Sequence, residues 1–170
     1  SELTKLSSRF QDNVLDSTNS FLFNILDKCQ LKGLPSEIIK VARQTASQQK
    51  KDGWVFTLDF PSYIPFMQYA DSRELREKFY YAYATKASEL STKKFDNTNV
   101  INKTLKLRQS QAIILGYANY AEMTLETKMA KSSKEIISFL RRLARKAMPY
   151  AKKDMQELQK FAANFEISKI

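Results

Sequence analysis

The scarcity of glycine and proline limits the fold of this chain more than any other feature. Only three glycines and four prolines occur among 170 residues. Because these residues most often mark turns and helix ends, we expect long helices and few loops. Apolar residues also recur at helical spacing over most of the chain. We therefore predict an all-α, multi-helix fold of about six to eight helices with at most one short strand or hairpin segment, forming a single helical domain over residues 1–170.

Two helices are predicted before residue 53. The first has an apolar stripe with steps of four or seven residues, made of Leu6, Phe10, Val14, Phe21, Ile25 and Cys29. Gly33 and Pro35 should end it, because glycine is favoured just after a helix and proline cannot continue one. The second carries Ile38, Ile39, Ala42 and Ala46 on its apolar side and ends before Gly53.

A different pattern follows between Trp54 and Phe60. Trp54, Phe56 and Leu58 alternate with Val55, Thr57 and Asp59, a period of two that is typical of a strand. No second strand is evident in the sequence, so its pairing partner is expected outside this chain. Pro61 and Pro65 then bracket a turn or a short helix.

The remaining helices are predicted from their caps. Asp71 with Glu74, and Ser132 with Glu135, have the spacing of a capping box. Asp96 or Asn97 should cap a helix that Gly116 ends, and Asn119 should start a short helix through Met123. Pro149 lies within the final apolar pattern and should kink that helix or split it in two.

The chain has no histidine and a single cysteine, Cys29. Histidine is the usual proton carrier near neutral pH, and histidine and cysteine are the main zinc ligands. Most zinc sites and catalytic triads are therefore excluded for this chain. Cys29 cannot form an internal disulfide, and we interpret it as a small core residue in a reducing, cytoplasmic compartment. No apolar run is long enough to span a membrane, so no membrane partner is expected.

The carboxylates and serines form no convincing catalytic group. Glu74 with Glu77, and Asp154 with Glu157, are three residues apart on helices, but they lie among lysines and arginines and are interpreted as surface charge. Ser133-Lys134 and Ser168-Lys169 are adjacent pairs whose side chains would point apart on a helix. No glycine-rich phosphate loop is present.

A formal net charge of +10 allows two interpretations. The first is binding to an anionic partner such as RNA or DNA, and the second is that lysine covers solvated helix faces. The basic residues considered are Lys93, Lys94, Lys103, Lys106, Arg108, Arg141, Arg142, Arg145, Lys146, Lys152 and Lys153. Tyr80, Tyr81 and Tyr83 could stack on bases, but their helical spacing favours half-buried packing, and no specific nucleic acid is expected.

Several blocks together resemble the thimet-type zinc oligopeptidases, the family of oligopeptidase A, thimet oligopeptidase and neurolysin. The blocks are Trp54-x-x-Thr57-Leu58-Asp59-x-Pro61-x-Tyr63-x-Pro65, Leu75-Arg76-Glu77-x-x-Tyr80-x-Ala82-Tyr83-x-Thr85-x-Ala87-Ser88, Asp96-Asn97, Leu107-Arg108, Leu115-Gly116-Tyr117-x-Asn119-Tyr120-Ala121, Lys128-Met129-Ala130, and Phe139-Leu140-x-x-Leu143-Ala144 with Ala147 and Pro149. Their order over roughly residues 50–150 makes the resemblance specific, although each block alone is weak. The oligopeptidase A branch is the most similar in character.

The resemblance implies a fragment from the N-terminal half of a two-lobed enzyme with a deep, helix-walled channel. In that family the zinc lies on an H-E-x-x-H helix of the C-terminal half and activates a water, with the motif glutamate as base. Without histidine, this chain holds no catalytic, cofactor-binding or metal residue that can be assigned, and zinc is expected only in the parent enzyme. Tyr63, beside the predicted strand, is the one residue that we place as channel-facing.

The favoured function is therefore a non-catalytic lobe that forms part of the substrate-channel wall of a zinc-dependent oligopeptidase. Its expected partners are the C-terminal catalytic half of the same polypeptide and, in the full enzyme, short peptides. The first and last residues, Ser1 and Ile170, fit an excised part of a longer protein. Apolar faces meant for the missing half should then be exposed and cause self-association. The alternatives are a basic helical nucleic-acid-binding module and a freestanding helical adaptor.

Overall fold

The computed structural model describes residues 1–165 of the chain, so the predicted Ser168-Lys169 pair lies outside the described residues. The chain divides into two compact units, residues Ser1–Leu107 (unit 1) and the part from Arg108 onward (unit 2). We describe each unit by itself. The expectation of one helical domain over residues 1–170 stays a prediction.

The all-α prediction is confirmed, since residues 1–165 contain seven α-helices and a single two-stranded sheet. The elements are α1 (Glu2–Ser20), β1 (Phe23–Ile25), α2 (Ser36–Gln48), β2 (Trp54–Phe56), α3 (Phe60–Tyr69), α4 (Arg73–Thr85), α5 (Thr98–Ile114), α6 (Tyr120–Leu125) and α7 (Ser133–Ala163). Two 3₁₀ turns, Lys28–Leu31 and Lys93–Phe95, complete the set. Unit 1 holds the sheet, and α6 and α7 lie in unit 2.

The sheet corrects two predictions about the first part of the chain. β1 pairs with β2 in antiparallel register, with Phe23 opposite Phe56 and Ile25 opposite Trp54. The partner of the predicted strand is thus inside the chain, and the first helix does not continue to Cys29 but ends at Ser20. A spacing of four residues fits a period of two as well as one of 3.6, which is why the sequence pattern misassigned this segment.

Cys29 is exposed in the 3₁₀ turn, so its interpretation as a core residue is wrong. The Asp27 carboxylate accepts a hydrogen bond from the Cys29 N–H at 2.8 Å and fixes the start of this turn. Leu31, two residues on, is the buried side chain of the turn. The three-residue repeat of a 3₁₀ turn places different side chains inward from those that an α-helix would.

Aromatic rings fill the core of unit 1. Phe56, Phe66 and Phe79 are almost completely buried. The Phe66 ring lies 4.9 Å from Phe56 and 4.7 Å from Phe79, both edge-on, and 6.0 Å from Phe23 of β1. Edge-to-face contacts at these centroid distances are favourable because the ring edge is positive and the face negative. The two-stranded sheet, α3 and α4 are thus joined through one aromatic cluster.

Gly33 is required where the chain turns into α2. Its φ is +88°, and a Cβ there would lie 2.1 Å from the Tyr69 carbonyl oxygen. The neighbouring Lys32 carbonyl accepts a hydrogen bond from the Asp71 N–H at 2.9 Å. Glycine therefore permits both the left-handed backbone and the close approach of the segment that follows α3.

The predicted helix caps are mostly confirmed. The Asn119 and Ser132 side chains accept from the N–H groups of Glu122 and Glu135, at 3.0 and 3.2 Å. α5 ends just before Gly116, as predicted. The cap of α4 is Ser72 rather than Asp71, because the Ser72 hydroxyl accepts from the Leu75 N–H at 3.3 Å.

Pro149 does not split the last helix, so that alternative is wrong, whereas the predicted kink stays a prediction. α7 continues as one helix for 31 residues on both sides of it. A proline inside a helix lacks one N–H donor and removes one hydrogen bond. Positions on either side of Pro149 therefore belong to one element.

A buried polar group joins α1 to the start of α5 within unit 1. The Asn97 side chain is 1% exposed; its Nδ2 donates to the Phe10 carbonyl at 3.1 Å, and its Oδ1 accepts from the Asn13 amide at 2.8 Å. The Asp96 carboxylate accepts from the Thr98 N–H at 2.8 Å, so the predicted cap at Asp96 or Asn97 is present. These bonds place α1 although it carries only one buried large apolar residue, Leu6.

We expect Phe79→Ala to lower the free energy of unfolding by about 3–5 kcal/mol, because it empties a site in the aromatic cluster. The neighbouring Tyr80 is 57% exposed, so Tyr80→Ala is the matched control and should change it by less than about 0.5 kcal/mol. Urea denaturation followed by circular dichroism measures both. Equal losses for the two variants would contradict the placement of α4.

Candidate functional site

Tyr63, the one residue predicted to face a channel, lies in the core of unit 1 on α3. Its side chain is 7% exposed, and its ring stacks on Tyr83 with 3.9 Å between centroids and lies 5.4 Å from Phe79. Burial, helped by the neighbouring Tyr83 and Tyr80, raises the pKa of the Tyr63 hydroxyl above its ordinary value of 10.0. A role in a channel stays a prediction, and its contacts in this chain are those of a packed residue.

The predicted carboxylate pairs are surface charges. Glu74 forms an ion pair with Lys78 at 2.5 Å, and this hydrogen bond lowers the pKa of the Glu74 carboxyl. Glu157 pairs with Lys153 at 3.7 Å. Within residues 1–165 no three histidine, cysteine, aspartate or glutamate side chains come together as a metal site. The residues that the structure describes therefore do not fit a zinc ion.

Ser133 also lacks the partners of a nucleophile. Its hydroxyl is buried without a hydrogen bond, while its N–H donates to the Glu122 carboxylate at 3.3 Å. Ser133 is the first residue of α7. Adjacent helical residues point apart, so Lys134 cannot act as its base. The Ser133 N–H, through its bond to Glu122, links the start of α7 to α6.

The most distinctive surface is the apolar face of α7. Its large apolar residues are between 47% and 73% exposed, and they are Ile137, Phe139, Leu140, Leu143, Met148, Tyr150, Met155, Leu158 and Phe161. At 3.6 residues per turn these positions fall within one half of the α7 surface, a stripe that normally faces a core. An apolar face of this length is typical of a surface that packs against another protein segment. We call these residues the α7 apolar face.

The opposite side of α7 is basic. Arg141, Arg142, Arg145, Lys146 and Lys152 form no ion pair within the described part of the chain. The Arg142 guanidinium lies 5.7 Å from the centre of the Phe139 ring. A shallow groove of about 510 Å³ runs beside the first turns of α7, lined by Ala130, Glu135, Ile136, Ser138, Phe139, Arg142 and Arg145. α7 therefore separates an apolar side from a cationic one.

Unit 1 has a second basic groove at the end of α2. It measures about 520 Å³ and is lined by Arg43, Gln44, Ser47, Lys50, Lys51 and Asp52. Arg43 has a structural task there, because its guanidinium donates to the Gly53 carbonyl at 2.8 Å and lies over the Trp54 ring at 5.6 Å. This arginine ties α2 to β2, so the groove is in part a by-product of that contact.

The tyrosines considered for base stacking do not form one platform. Tyr80 and Tyr81 are more than half exposed, which differs from the half-buried packing expected for Tyr80. Tyr83 is occupied on one face by Tyr63, and the Lys86 ammonium lies 3.9 Å from the centre of the Tyr83 ring. The arrangement gives no row of free ring faces for successive bases.

Sequence reasoning missed the structural roles of Asn97 and Arg43. Asn97 was considered as a helix cap, but its two long-range hydrogen bonds to α1 depend on a tertiary contact that no local pattern contains. The proximity of Arg43 to Trp54 likewise requires α2 and β2 to be placed first. The only local signal was an asparagine at the start of a helix, which is equally common in simple caps.

The family of the chain follows from a sequence match that begins within α3. Residues 66–169 match the profile of Peptidase family M3. This chain belongs to that family, whose members are metallopeptidases. The predicted resemblance to the thimet-type oligopeptidases is thus confirmed.

Individual relatives refine this assignment. Oligopeptidase A of Haemophilus influenzae is 42% identical over 159 residues, which is 92% of this chain and 23% of that protein. Oligopeptidase A of Escherichia coli is 37% identical over 171 residues, 99% of this chain and 25% of that protein. A probable cytosolic oligopeptidase A of Arabidopsis thaliana is 41% identical over 96% of this chain and 24% of that protein. This chain therefore spans about a quarter of the length of these relatives.

No helix within residues 1–165 is both long enough and apolar enough to cross a lipid bilayer.

The raised pKa of Tyr63 makes stability depend on alkaline pH. The folded state holds this proton more tightly than the unfolded state, so its stabilisation is complete below pH 10 and is lost as pH rises through the folded pKa. Wild type should therefore lose more unfolding free energy between about pH 9 and 11.5 than Tyr63→Phe does. Urea titrations at several pH values test this, with the exposed Tyr81→Phe as a control that should behave like wild type. Parallel curves for wild type and Tyr63→Phe would contradict it.

The α7 apolar face should cause the isolated chain to self-associate. We expect Leu143→Glu to reduce this association at least about tenfold, because it places a charge on that face. Gln156→Glu adds the same charge on the polar side and is the matched control, with no such reduction. Light scattering over a concentration series measures both. A wild-type chain that stays monomeric at all concentrations would contradict self-association through the α7 apolar face.

Proposed function

We propose that this chain is a non-catalytic helical part of a zinc-dependent oligopeptidase and forms part of its substrate-channel wall. The proposal rests on one combination of facts. The chain belongs to a metallopeptidase family, yet it has no histidine, and its described residues contain no cluster of metal ligands. A peptidase of this family needs such ligands to activate water. They must then be supplied by another part of the polypeptide.

The length of the relatives supports a catalytic part outside this chain. Each is about four times as long as this chain, which leaves ample polypeptide for a catalytic half. That half is the proposed partner, and it would bring the H-E-x-x-H helix and the zinc. No step of the hydrolysis is assigned to residues of this chain, because the residues present do not fit the metal.

The exposed apolar surface supports the same partner. A helix packed in a complete protein rarely leaves so many large apolar side chains half exposed. The α7 apolar face belongs to unit 2 and extends along most of this 31-residue helix. Covering it would bury apolar area and contribute to the stability of the whole enzyme.

The substrate and the compartment are proposed from the relatives. Several are named oligopeptidase A, and we propose short unstructured peptides as substrates because a narrow channel excludes folded chains. Relatives are named as cytosolic in one case and as chloroplastic or mitochondrial in another. The chain has one cysteine and therefore no internal disulfide. We propose a cytoplasmic location for the protein.

Peptide hydrolysis tests the proposal directly. The isolated chain with added zinc should not cleave a quenched-fluorescent peptide of about ten residues, whereas the full-length polypeptide should, and a chelator should abolish its activity. A second preparation of the isolated chain, purified with the columns in a different order, is assayed with a panel of protease inhibitors. This controls for contaminating enzymes. Chelator-sensitive cleavage by the isolated chain would contradict the proposal.

Binding to RNA or DNA is the second candidate, and the unpaired basic side of α7 is the observation that favours it. Tight binding that weakens steeply with salt, and weakens further in the triple variant Arg141→Glu, Arg142→Glu, Arg145→Glu, would support it. Weak binding without sequence preference is expected of any chain with a net charge of +10. Family membership favours the peptidase.

A further inference from the structure

Asp154 is the anomalous residue of the α7 apolar face. Within α7 it lies four residues from Tyr150 and Leu158, three from Ala151 and seven from Phe161. Residues at these spacings share one side of an α-helix. Three of the four positions one helical turn from Asp154 are therefore apolar, and Asp154 lies within the stripe rather than at its border. Its companion Glu157 lies at the edge of this stripe.

No residue of α7 can neutralise Asp154. The positions three and four residues away are Tyr150, Ala151, Glu157 and Leu158, none of them a cation. The adjacent Lys152 and Lys153 point to the other side of the helix, and Lys153 pairs with Glu157. In the described part of the chain, Asp154 accepts no hydrogen bond and forms no ion pair.

Covering the apolar face creates an electrostatic requirement. A carboxylate that is removed from water without a partner costs several kcal/mol, and buried carboxylates in proteins are paired or hydrogen-bonded. The segment that packs on the α7 apolar face must therefore supply a donor opposite Asp154. Arginine suits this position best, because its planar guanidinium binds a carboxylate with two parallel hydrogen bonds.

A second copy of this chain is a poor occupant. The apolar side of α7 carries no lysine or arginine from Ile136 to Phe161, so two such faces in contact would offer carboxylates and no cation. The basic residues lie on the other side of α7, away from such a contact, so they could not neutralise Asp154 there. The charge pattern thus favours a different segment. The relatives contain about three quarters of a polypeptide from which it can come.

We propose that, in the full-length protein, a segment from outside this chain packs on the α7 apolar face and pairs a lysine or arginine side chain with Asp154. This inference rests on the proposed function, because it takes the occupant from the rest of the same peptidase. It adds the chemistry of the contact: an apolar segment with one cation aligned to Asp154. The pair would fix the position of that segment along α7, because sliding by a helical turn would bury both charges unpaired.

Carboxyl footprinting with a carbodiimide and an amine tests the cover on the wild-type protein. Asp154 should react at least about tenfold more slowly in the full-length protein than in the isolated chain, taken at a concentration where light scattering finds a monomer. Equal reactivity would overturn the proposal. Protection that develops in the isolated chain as its concentration rises, but not in the full-length protein, would identify a second copy as the occupant and overturn it. Protection that requires an added substrate peptide would overturn it too.

Substitution tests the charge pair. In the full-length protein Asp154→Asn should raise the unfolding equilibrium constant at least about 100-fold, because the opposing cation is left buried. Glu157→Gln is the matched control and should change it less than about threefold, since Glu157 is exposed and pairs on its own helix. In the isolated monomeric chain Asp154→Asn should also change it less than about threefold. A neutral or more stable Asp154→Asn or Asp154→Leu in the full-length protein would overturn the pairing.

These outcomes separate the inference from the proposed function. Chelator-sensitive hydrolysis by the wild-type full-length protein tests the function alone. A full-length protein that is active while Asp154 reacts freely with the carbodiimide overturns only the inference. A full-length protein that is inactive, but in which Asp154 is protected from the carbodiimide and needed for stability, overturns only the function. If Asp154→Asn does not fold in the full-length protein, the wild-type footprint still decides whether the face is covered.

Discussion

The exposed apolar face of α7 is the constraint on which the account of this chain depends. A 31-residue helix with large apolar residues along one side cannot leave that side in water without favouring association. The opposite side of α7 is cationic. The helix is therefore suited to pack its apolar side against a neighbouring segment and to expose its basic side to solvent. This asymmetry places many charged side chains and an uncovered apolar surface on the same helix.

Unit 1 is stabilised differently, by groups that are satisfied within it. Phe56, Phe66 and Phe79 form the aromatic cluster, and Asn97 anchors α1 through two hydrogen bonds. These contacts hold helices in place without forming a reactive site. Residues 1–165 contain no cluster of metal-ligating side chains, and the α7 apolar face is uncovered; both observations agree with the proposed part in a channel wall. In the proposed function, the catalytic chemistry lies elsewhere in the polypeptide.

Most helices were predictable from the sequence because their signals are local. Asn119 and Ser132 marked helix starts that the structure contains, and Gly116 marked an end. The segment around Ile25 failed because apolar residues four apart fit a helix and a strand equally well, and only the pairing with Trp54 decides between them. Ser72 was missed as a cap because Asp71 had the spacing of a capping box. Tyr63 was singled out by position, whereas its burial depends on tertiary contacts that sequence spacing does not contain.

The central claim is that this chain is one part of a larger zinc peptidase whose metal is bound elsewhere. The most direct test is to capture the native protein with an antibody against this chain and to measure its intact mass and zinc content together. The account predicts a polypeptide roughly four times the 19.7 kDa of this chain, with about one zinc ion per molecule. A native species of about 20 kDa, or a long polypeptide without bound zinc, would contradict it.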